Sequence, residues 1–193
     1  MPTDERVARV TGVLSRRQPD LRVVLENVTN EHNANAVLRT CDAAGVLRVD
    51  VIAPGSEPLP INKAITTRAD KWLDLRYHSG PAECLAALKA EGFRIAATDL
   101  GAGAVPYDGL DYTRPTAIVF GNEKEGLSPE TLALADARIR VPMLGMAQSL
   151  NLSVSVGVIL YEAVRQRTAR GMYDEPRLTP DELREYISRW LEM

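Results

Sequence analysis

The sequence predicts an α/β protein whose mainly parallel sheet is covered by helices on both faces. Short β-rich apolar runs alternate with segments of helical character, and this alternation is typical of βαβ units. The chain has 193 residues, of which 45% are apolar, and this suits one globular domain with a sizeable core. Strands are predicted at residues 21–26, 46–53, 93–98, 116–120 and 139–141, and helices at 33–44, 81–91 and 129–135.

Glycine and proline residues mark the ends of these elements. Gly45 and Gly92 each follow a helical pattern, and glycine commonly closes a helix because it adopts the left-handed conformation. Pro54 ends the second strand and Pro142 ends the last one, since proline cannot donate a hydrogen bond to a sheet ladder. Residues 54–71 contain three prolines and are of mixed polarity, and no element is assigned to them.

Residues 150–169 show two periodicities at once. From Leu152 to Val158 apolar residues alternate with Ser or Gly, as in a strand, whereas the residues after Val156 follow a helical period. We assign one buried helix, because the segment is longer than an ordinary strand and its end carries arginines before Gly171.

Both termini are predicted to form helical extensions. Thr3 can cap a first helix, and if this helix continues to residue 17, four arginines fall within an arc of about 100°. These are Arg6, Arg9, Arg16 and Arg17, and their face is either simply solvated or a contact surface for RNA. Thr179-Pro-Asp-Glu182 has the pattern of a capping box. The predicted organisation is an extension at 1–20, a main domain at 21–170 and an extension at 171–193.

Composition excludes several classes of protein. The net charge of −3 and the isoelectric point near 5.5 give no global sign of nucleic-acid binding, so RNA contacts have to come from local patches. Cys41 and Cys84 lack metal-ligand spacing and are expected to be buried thiols of a cytoplasmic protein. His78 has no evident partner, and we expect no metal site, no signal peptide and no membrane span.

A glycine-rich segment follows one of the predicted strands. Residues 93–103 read as a strand, a loop and Gly101-x-Gly103, which is similar to the glycine loop of Rossmann-type methyltransferases. In that motif the glycines open a helix, but Pro106 and Gly109 make a helix unfavourable here. The Rossmann interpretation is therefore disfavoured.

Residues 138–156 are the most informative stretch of the chain. A short β-type run ends at Pro142, a loop of small residues follows, and Ser149 and Asn151 stand just before the long apolar segment. Their hydroxyl and amide groups can donate and accept hydrogen bonds, but no residue here ligates a metal or offers an activated nucleophile. This pattern favours a reaction that depends on positioning a reactive cofactor.

Three ordered segments carry recognisable motifs. They are Asn33-x-x-Ala36-x-x-Arg39-Thr40, the run Val-Phe-Gly-Asn-Glu-Lys-Glu-Gly-Leu-Ser at 119–128, and residues 139–151, which begin Ile-Arg-Val-Pro-Met and end Ser-Leu-Asn. Together they resemble the motifs of the SpoU/TrmH branch of the SPOUT methyltransferases. The resemblance implies methylation of RNA ribose 2′-oxygens with S-adenosylmethionine, a deep trefoil knot in the C-terminal part of the sheet, and a homodimer. The residues alone would not suggest a knot, because knots are nearly absent from proteins.

The resemblance also implies roles for individual residues. Catalytic roles are implied for Asn33, Arg39, Glu123, Ser149 and Asn151, with Arg39 matching the residue that activates the ribose hydroxyl. The cofactor would be held largely by backbone groups at Thr98, Leu100, Gly121, Glu123, Val141, Met143 and Leu150. Asn35 stands where the family usually has a smaller residue, and the spacing to Arg39 favours Asn33 as the motif residue. Without the resemblance, Asn33 is interpreted as a helix N-cap and Arg39 as a surface ion-pair partner.

The terminal extensions bear on the choice of substrate. The layout resembles the family members that methylate guanosine 18 in the D-loop of tRNA. Phosphate contacts are then expected from basic residues, namely Arg6, Arg9, Arg16, Arg17, His32, Arg165, Arg167 and Arg177. The alternatives are methylation at another tRNA position or in rRNA, and a catalytically inactive RNA-binding module of the same fold.

Overall fold

A seven-stranded parallel sheet forms the centre of the molecule. The computed structural model describes residues 2–53, 58–62, 66 and 69–193, and the strand order is β3-β2-β1-β6-β4-β7-β5 with every neighbouring pair parallel. The strands are β1 (Leu21–Glu26), β2 (Arg48–Ile52), β3 (Asp74–His78), β4 (Arg94–Thr98), β5 (Val105–Pro106), β6 (Thr116–Phe120) and β7 (Ala137–Arg140). The helices are α1 (Asp4–Leu14), α2 (Glu31–Ala43), α3 (Pro81–Ala90), α4 (Pro129–Leu134), α5 (Leu152–Ala169) and α6 (Pro180–Glu192).

The central strand β1 fixes the register of the sheet. Val23 lies opposite Val49 of β2 on one side and Ile118 of β6 on the other. Every residue of β1 and β6 is buried, as expected for parallel strands that are covered on both faces. The predicted α/β class is confirmed.

Helices pack on both faces of this sheet. One apolar core cluster joins α2 and α5 to residues of β1, β2 and β6, and it includes Val37, Leu38 and Ile159. A second cluster joins α3 to the opposite face through Cys84, Leu85 and Leu88, with α4 packed at its border. The helices therefore bury the two faces separately.

The terminal helices form a layer of their own. α1 and α6 pack together over a third cluster, in which Leu14, Leu47 and Trp190 are buried. Thr3 caps α1, and the capping box at Thr179 and Glu182 is present at the start of α6, as predicted. Within the described residues, no helix is long and apolar enough to cross a membrane.

The structure corrects three sequence predictions. The helix α1 ends at Leu14, so Arg16 and Arg17 do not share a helical face with Arg6 and Arg9. The strand β3 was missed because its residues are polar and partly exposed, and β5 because it has only two residues. Part of the unassigned stretch 54–71 lies outside the described residues. The helix predicted at 150–169 is confirmed as α5.

Candidate active site

A large cavity lies at the carboxyl ends of the central strands. It has a volume of about 1030 Å³ and is bordered by the loops after β4, β6 and β7 and by the start of α2. In parallel α/β sheets, ligands bind outside the carboxyl ends of the strands, where loops converge. The predicted residues that line it are Asn33, Thr98, Leu100, Gly121, Glu123, Val141, Met143, Ser149, Leu150 and Asn151.

A chain of hydrogen bonds joins the three motifs at this cavity. The Asn33 Nδ2–H donates to Glu123 Oε1 at 2.6 Å, and the Asn151 Nδ2–H donates to Asn33 Oδ1 at 3.0 Å. Asn33 is only 8% exposed, so both partners hold its amide in one orientation. Residues 118 positions apart are thereby fixed relative to one another.

Asparagine side chains also position the two helices that border the site. Asn30 is the N-cap of α2 and accepts a hydrogen bond from the Asn33 N–H at 3.0 Å, so the N-cap interpretation of Asn33 itself is wrong. Asn151 caps α5 and accepts from both the N–H and the hydroxyl of Ser153. Its oxygen is therefore occupied by the helix, and its Nδ2 is turned toward Asn33.

Asn35 lies beside the motif but has a different environment. It is completely buried, and its Nδ2 donates to the carbonyl oxygens of Glu31 and Pro60. Its Oδ1 accepts from the backbone N–H of Asn62 at 2.9 Å. Asn35 therefore ties α2 to a neighbouring loop, and this supports Asn33 as the motif residue.

The loop after β6 is folded tightly on itself. A Cβ on Gly121 would lie 2.3 Å from the carbonyl carbon of Gly126, so only glycine fits at this position. Two backbone hydrogen bonds join Asn122 and Gly126, and the Asn122 Oδ1 accepts from the N–H of Lys124 at 2.8 Å. Sequence reasoning missed Asn122, although its place in the second motif could have indicated it.

The other two loops contribute mainly backbone to the cavity. The Thr98 hydroxyl is turned to the carbonyl oxygen of Val119 at 3.0 Å, and Leu100 is largely exposed. Val141 and Met143 are half-buried, while Ser149 is exposed and its hydroxyl has no hydrogen bond within the described part of the chain. The strand β5, and not a helix, follows Gly101 and Gly103, so the Rossmann interpretation is wrong.

Comparison with known proteins assigns the family. Residues 20–161 match the SpoU rRNA Methylase family. The chain belongs to the SpoU methylase family. It is 48% identical to the tRNA (guanosine(18)-2′-O)-methyltransferase of Thermus thermophilus, over 98% of this chain and 97% of that protein. The enzyme of the same name from Escherichia coli K12 is 46% identical over 87% of this chain and 73% of that protein.

Solved structures of the SpoU family have the same fold. The crystal structure of the A. aeolicus TrmH/SpoU tRNA modifying enzyme matches with a TM-score of 0.93 and 44% identity, covering 98% of this chain and 96% of that one. The SpoU methyltransferase AviRb from Streptomyces viridochromogenes, in complex with AdoMet, matches with a TM-score of 0.69 and 27% identity. This match covers 80% of this chain and 59% of AviRb.

Arg39, the remaining motif residue of the SpoU family, lies apart from the cavity. It is exposed on α2, six positions after Asn33, and it does not line the cavity. Its guanidinium makes no hydrogen bond or ion pair with the residues that the structure describes. The alternative that Arg39 pairs with a surface carboxylate is therefore not supported.

Two of the predicted RNA-binding arginines are buried and belong to the core. The guanidinium of Arg17 donates to the carbonyl oxygens of Val46 and Trp72 and pairs with Asp42 at the end of α2. The guanidinium of Arg167 is completely buried and bonds Asp20 Oδ1 at 2.6 Å. The prediction that these two contact RNA is wrong, because each is enclosed and already has acceptors. Sequence reasoning could not distinguish them from exposed arginines.

The other predicted basic residues lie at the surface. Arg6, Arg9, Arg16 and His32 are exposed, whereas Arg165 pairs with Glu162 and Arg177 pairs with Asp20. Burial pushes the pKa of Asp20 upward, but the charges and hydrogen bonds of Arg167 and Arg177 outweigh this and leave that pKa below its ordinary value. The Asp20 carboxylate is thus ion-paired with two arginines and contributes to the stability of the fold.

His78 has partners that the sequence did not reveal. The fold brings Asp50, His78 and Cys84 together, with their potential ligand atoms within 4.8 Å of one another. His78 Nε2 lies 2.8 Å from Asp50 Oδ1, and the guanidinium of Arg22 lies 3.2 Å from the other oxygen of Asp50. Burial, followed by the charge of Asp50, raises the pKa of the Cys84 thiol to about 12. The carboxylate is already neutralised by Arg22 and the thiol is held protonated, and neither condition favours a metal ion.

Proposed function

We propose that this chain transfers the methyl group of S-adenosylmethionine to the ribose 2′-oxygen of guanosine 18 in tRNA. The observation that carries the proposal is the hydrogen-bonded chain Glu123–Asn33–Asn151, which assembles residues of all three motifs at one cavity. Its support is the identity of 44 to 48% with relatives that bear the name of this activity and align with nearly the whole chain.

The cavity fits the proposed cofactor. Small-molecule sites have volumes of roughly 300–1,000 Å³, and this one, at about 1030 Å³, is large enough for S-adenosylmethionine and part of a nucleotide. The absence of a side chain at Gly121 lets the loop after β6 fold tightly on itself at the border of the cavity. The loops at Thr98 and Leu100, at Gly121 and Glu123, and at Val141, Met143 and Leu150 would hold it. When bound, the cofactor supplies a methyl group that its sulfonium has already activated.

The protein then has to hold the ribose oxygen and stabilise the charge that develops on it. A ribose hydroxyl is a poor nucleophile until its proton leaves, and in-line placement supplies much of the acceleration. A guanidinium stays charged at neutral pH, so Arg39 is suited to stabilising the alkoxide while an RNA phosphate assists proton removal. The free hydroxyl of Ser149 and the fixed amide of Asn33 can orient the ribose at the mouth of the cavity.

The tRNA would be bound by exposed cations away from the motifs. Arg6, Arg9 and Arg16 are exposed near the N-terminus, and His32 is exposed at the start of α2. Arg165 and Arg177 remain candidates, since RNA phosphates can compete with their present carboxylate partners. We retain the division into extensions at 1–20 and 171–193 around a main domain at 21–170, with both extensions serving RNA binding.

We further propose a homodimer that buries α5. Val154 and Tyr161 are about half exposed on this helix, and Leu144 and Met146 in the preceding loop are fully exposed. Such a patch on a small protein marks an interaction surface. The match to solved structures of the SpoU family supports the proposed trefoil knot. The two unpaired cysteines support a location in a reducing cytoplasm.

A methyl-transfer assay with defined RNAs tests the proposal. Radiolabelled S-adenosylmethionine is incubated with a tRNA transcript, with the same transcript carrying 2′-deoxyguanosine at position 18, and with rRNA. We expect labelling of the first RNA alone, and nuclease digestion should yield 2′-O-methylguanosine. Labelling of rRNA or of the deoxy transcript would point to another position. Cofactor binding without any transfer would indicate an inactive RNA-binding module.

A further inference from the structure

A second cavity lies between the terminal helices. Its volume is about 570 Å³, and it is lined by residues of α1 and α6 together with Thr3, Asp42, Lys71, Trp72 and Met193. It shares no lining residue with the active-site cavity. Neither the motifs nor the proposed chemistry uses this space.

The charge of this cavity is opposite to that of the whole chain. Arg6, Arg9 and Lys71 line it and are exposed, although the chain has a net charge of −3. The side chains of Arg9 and Lys71 form no hydrogen bond or ion pair with any described residue, and the side chain of Arg6 donates only to the carbonyl oxygen of Trp190. Of the carboxylate side chains that line the cavity, Asp42 is already paired with Arg17, and Glu5 is left to oppose the three cationic side chains. The cavity is thus suited to an anion.

Aromatic rings form the floor of the same cavity. Trp72 and Trp190 meet edge to face, with centroids 5.0 Å apart, and Trp72 is partly exposed. Trp190 is 2% exposed, and its indole Nε1–H is buried without a hydrogen-bond partner among the described residues. Because that N–H is enclosed, the partly exposed ring of Trp72 is the aromatic surface that a ligand in the cavity can reach.

Free cations beside an aromatic face are the combination that binds unpaired nucleotides. We propose that this cavity binds a nucleotide of the tRNA substrate, with its base stacked on Trp72 and its phosphates on Arg9 and Lys71. The inference rests on the proposed function, because it assumes that tRNA is the substrate. It assigns substrate recognition to a site separate from the catalytic cavity.

Intrinsic fluorescence tests this inference directly. The chain has only two tryptophans, Trp72 and Trp190, so its tryptophan emission reports on this cavity alone. Addition of tRNA should quench the emission in a saturable manner, with the same Kd as a filter-binding assay, whereas S-adenosylmethionine should leave it unchanged. Emission that stays constant at saturating tRNA would overturn the inference. A change that follows protein concentration and not tRNA would also overturn it, because a second copy would then occupy the cavity.

Substitutions separate stacking from charge. Trp72→Ala should raise the Kd for tRNA by about 5- to 150-fold, and Trp72→Phe should retain most of the affinity, since stacking on an aromatic ring contributes roughly 1–3 kcal/mol per base. The double variant Arg9→Ala/Lys71→Ala should reduce the slope of log K against log salt by about 1.4 to 1.8. It carries no packing change, so it tests the site even if Trp72→Ala does not fold.

The control is Arg184→Ala, which removes an exposed arginine of α6 that pairs only with Asp181. It should leave the affinity and the salt slope unchanged, and S-adenosylmethionine affinity should be the same in all variants. If the parent methylates tRNA but these variants bind it like the parent, the nucleotide site is refuted and the proposed function stands. If the parent neither binds nor methylates tRNA, the proposed function itself fails.

Discussion

The active-site cavity and the cavity between the terminal helices differ in whether their polar groups already have hydrogen-bond partners. At the active site, Asn33, Glu123 and Asn151 are already hydrogen-bonded to one another, and none of them is cationic. Between the terminal helices, Arg9 and Lys71 have no partner within the described residues, and the donor of Trp190 is unpaired. The first arrangement is fixed before any ligand arrives, as catalysis requires. In the cavity between the terminal helices, Arg9 and Lys71 would gain partners only from a bound ligand. This arrangement favours binding of an anion and not catalysis.

Individual arginines also differ in whether they already have partners within the protein. Arg16 and Arg17 are neighbours in sequence, but Arg16 is exposed, whereas Arg17 is enclosed between α2 and the terminal layer. Arg165 and Arg167 differ in the same way on α5. One member of each pair is available to RNA, and the other holds the fold together. Substitution of the two kinds should therefore have separable effects.

The largest effect on stability is expected for Arg167→Ala. Removing this guanidinium leaves Asp20 paired with Arg177 alone and leaves the carbonyl oxygens of Asp20 and Tyr112 without this donor. Breaking a buried ion pair costs about 3–5 kcal/mol. Urea unfolding should show this loss, whereas Arg165→Ala, which removes a side chain that is itself largely exposed, should lose less than about 1 kcal/mol. Equal losses in the two variants would remove the distinction between structural and surface arginines.

Arg39→Ala should reduce the rate of methyl transfer by about 10²- to 10³-fold, the usual cost of one group that stabilises transition-state charge. The side chain is exposed and does not line the cavity, so neither stability nor cofactor affinity should change. Single-turnover kinetics and calorimetry with S-adenosylmethionine measure the two quantities. A large loss of cofactor affinity would show that Arg39 supports the cavity and does not act on the substrate.

Gly121→Ala should weaken cofactor binding by roughly 5- to 150-fold, since overpacking typically costs about 1–3 kcal/mol. The added methyl would overlap the backbone of Gly126 and push the loop apart. The matched control is Gly103→Ala, where a Cβ meets nothing within 4 Å and the residue does not line the cavity. Cofactor affinity like that of the parent in Gly121→Ala would mean that this loop does not shape the site.

Much of the active site follows from the sequence because parallel topology brings separate loops together. Strands of one sheet end at the same edge, and both α2 and α5 begin there. Asn33, in the first turn of α2, therefore meets Asn151, the N-cap of α5, although the two are 118 residues apart. The terminal layer could not be predicted in the same way. Whether an arginine such as Arg17 is buried depends on long-range packing against Trp72 and Asp42, and no local pattern records it.

Acid should reduce the stability difference between the parent and Asp20→Asn. The pKa of Asp20 is lowered in the folded state, so its contribution is present above the unfolded pKa, near 4, and is lost as the pH falls through the folded pKa. At pH 7 the variant should be less stable by about 1.5–3 kcal/mol, the range for hydrogen bonds to charged groups. Urea unfolding at pH 7 and pH 3 measures the gap, and a gap that widens in acid would contradict the assignment.

The smallest effect, none at all, is expected for metal removal. Asp50, His78 and Cys84 are close enough to suggest a metal site, but Arg22 already neutralises the Asp50 carboxylate. The pKa of the Cys84 thiol, raised to about 12, means that a metal ion would have to displace a strongly held proton. EDTA should therefore leave methyl transfer unchanged on a tRNA whose fold is checked separately, and Cys84→Ser should behave like the parent. The contrary outcome is that EDTA abolishes activity and that zinc restores it in the parent but not in Cys84→Ser. This cluster would then be a functional metal site in addition to the two cavities.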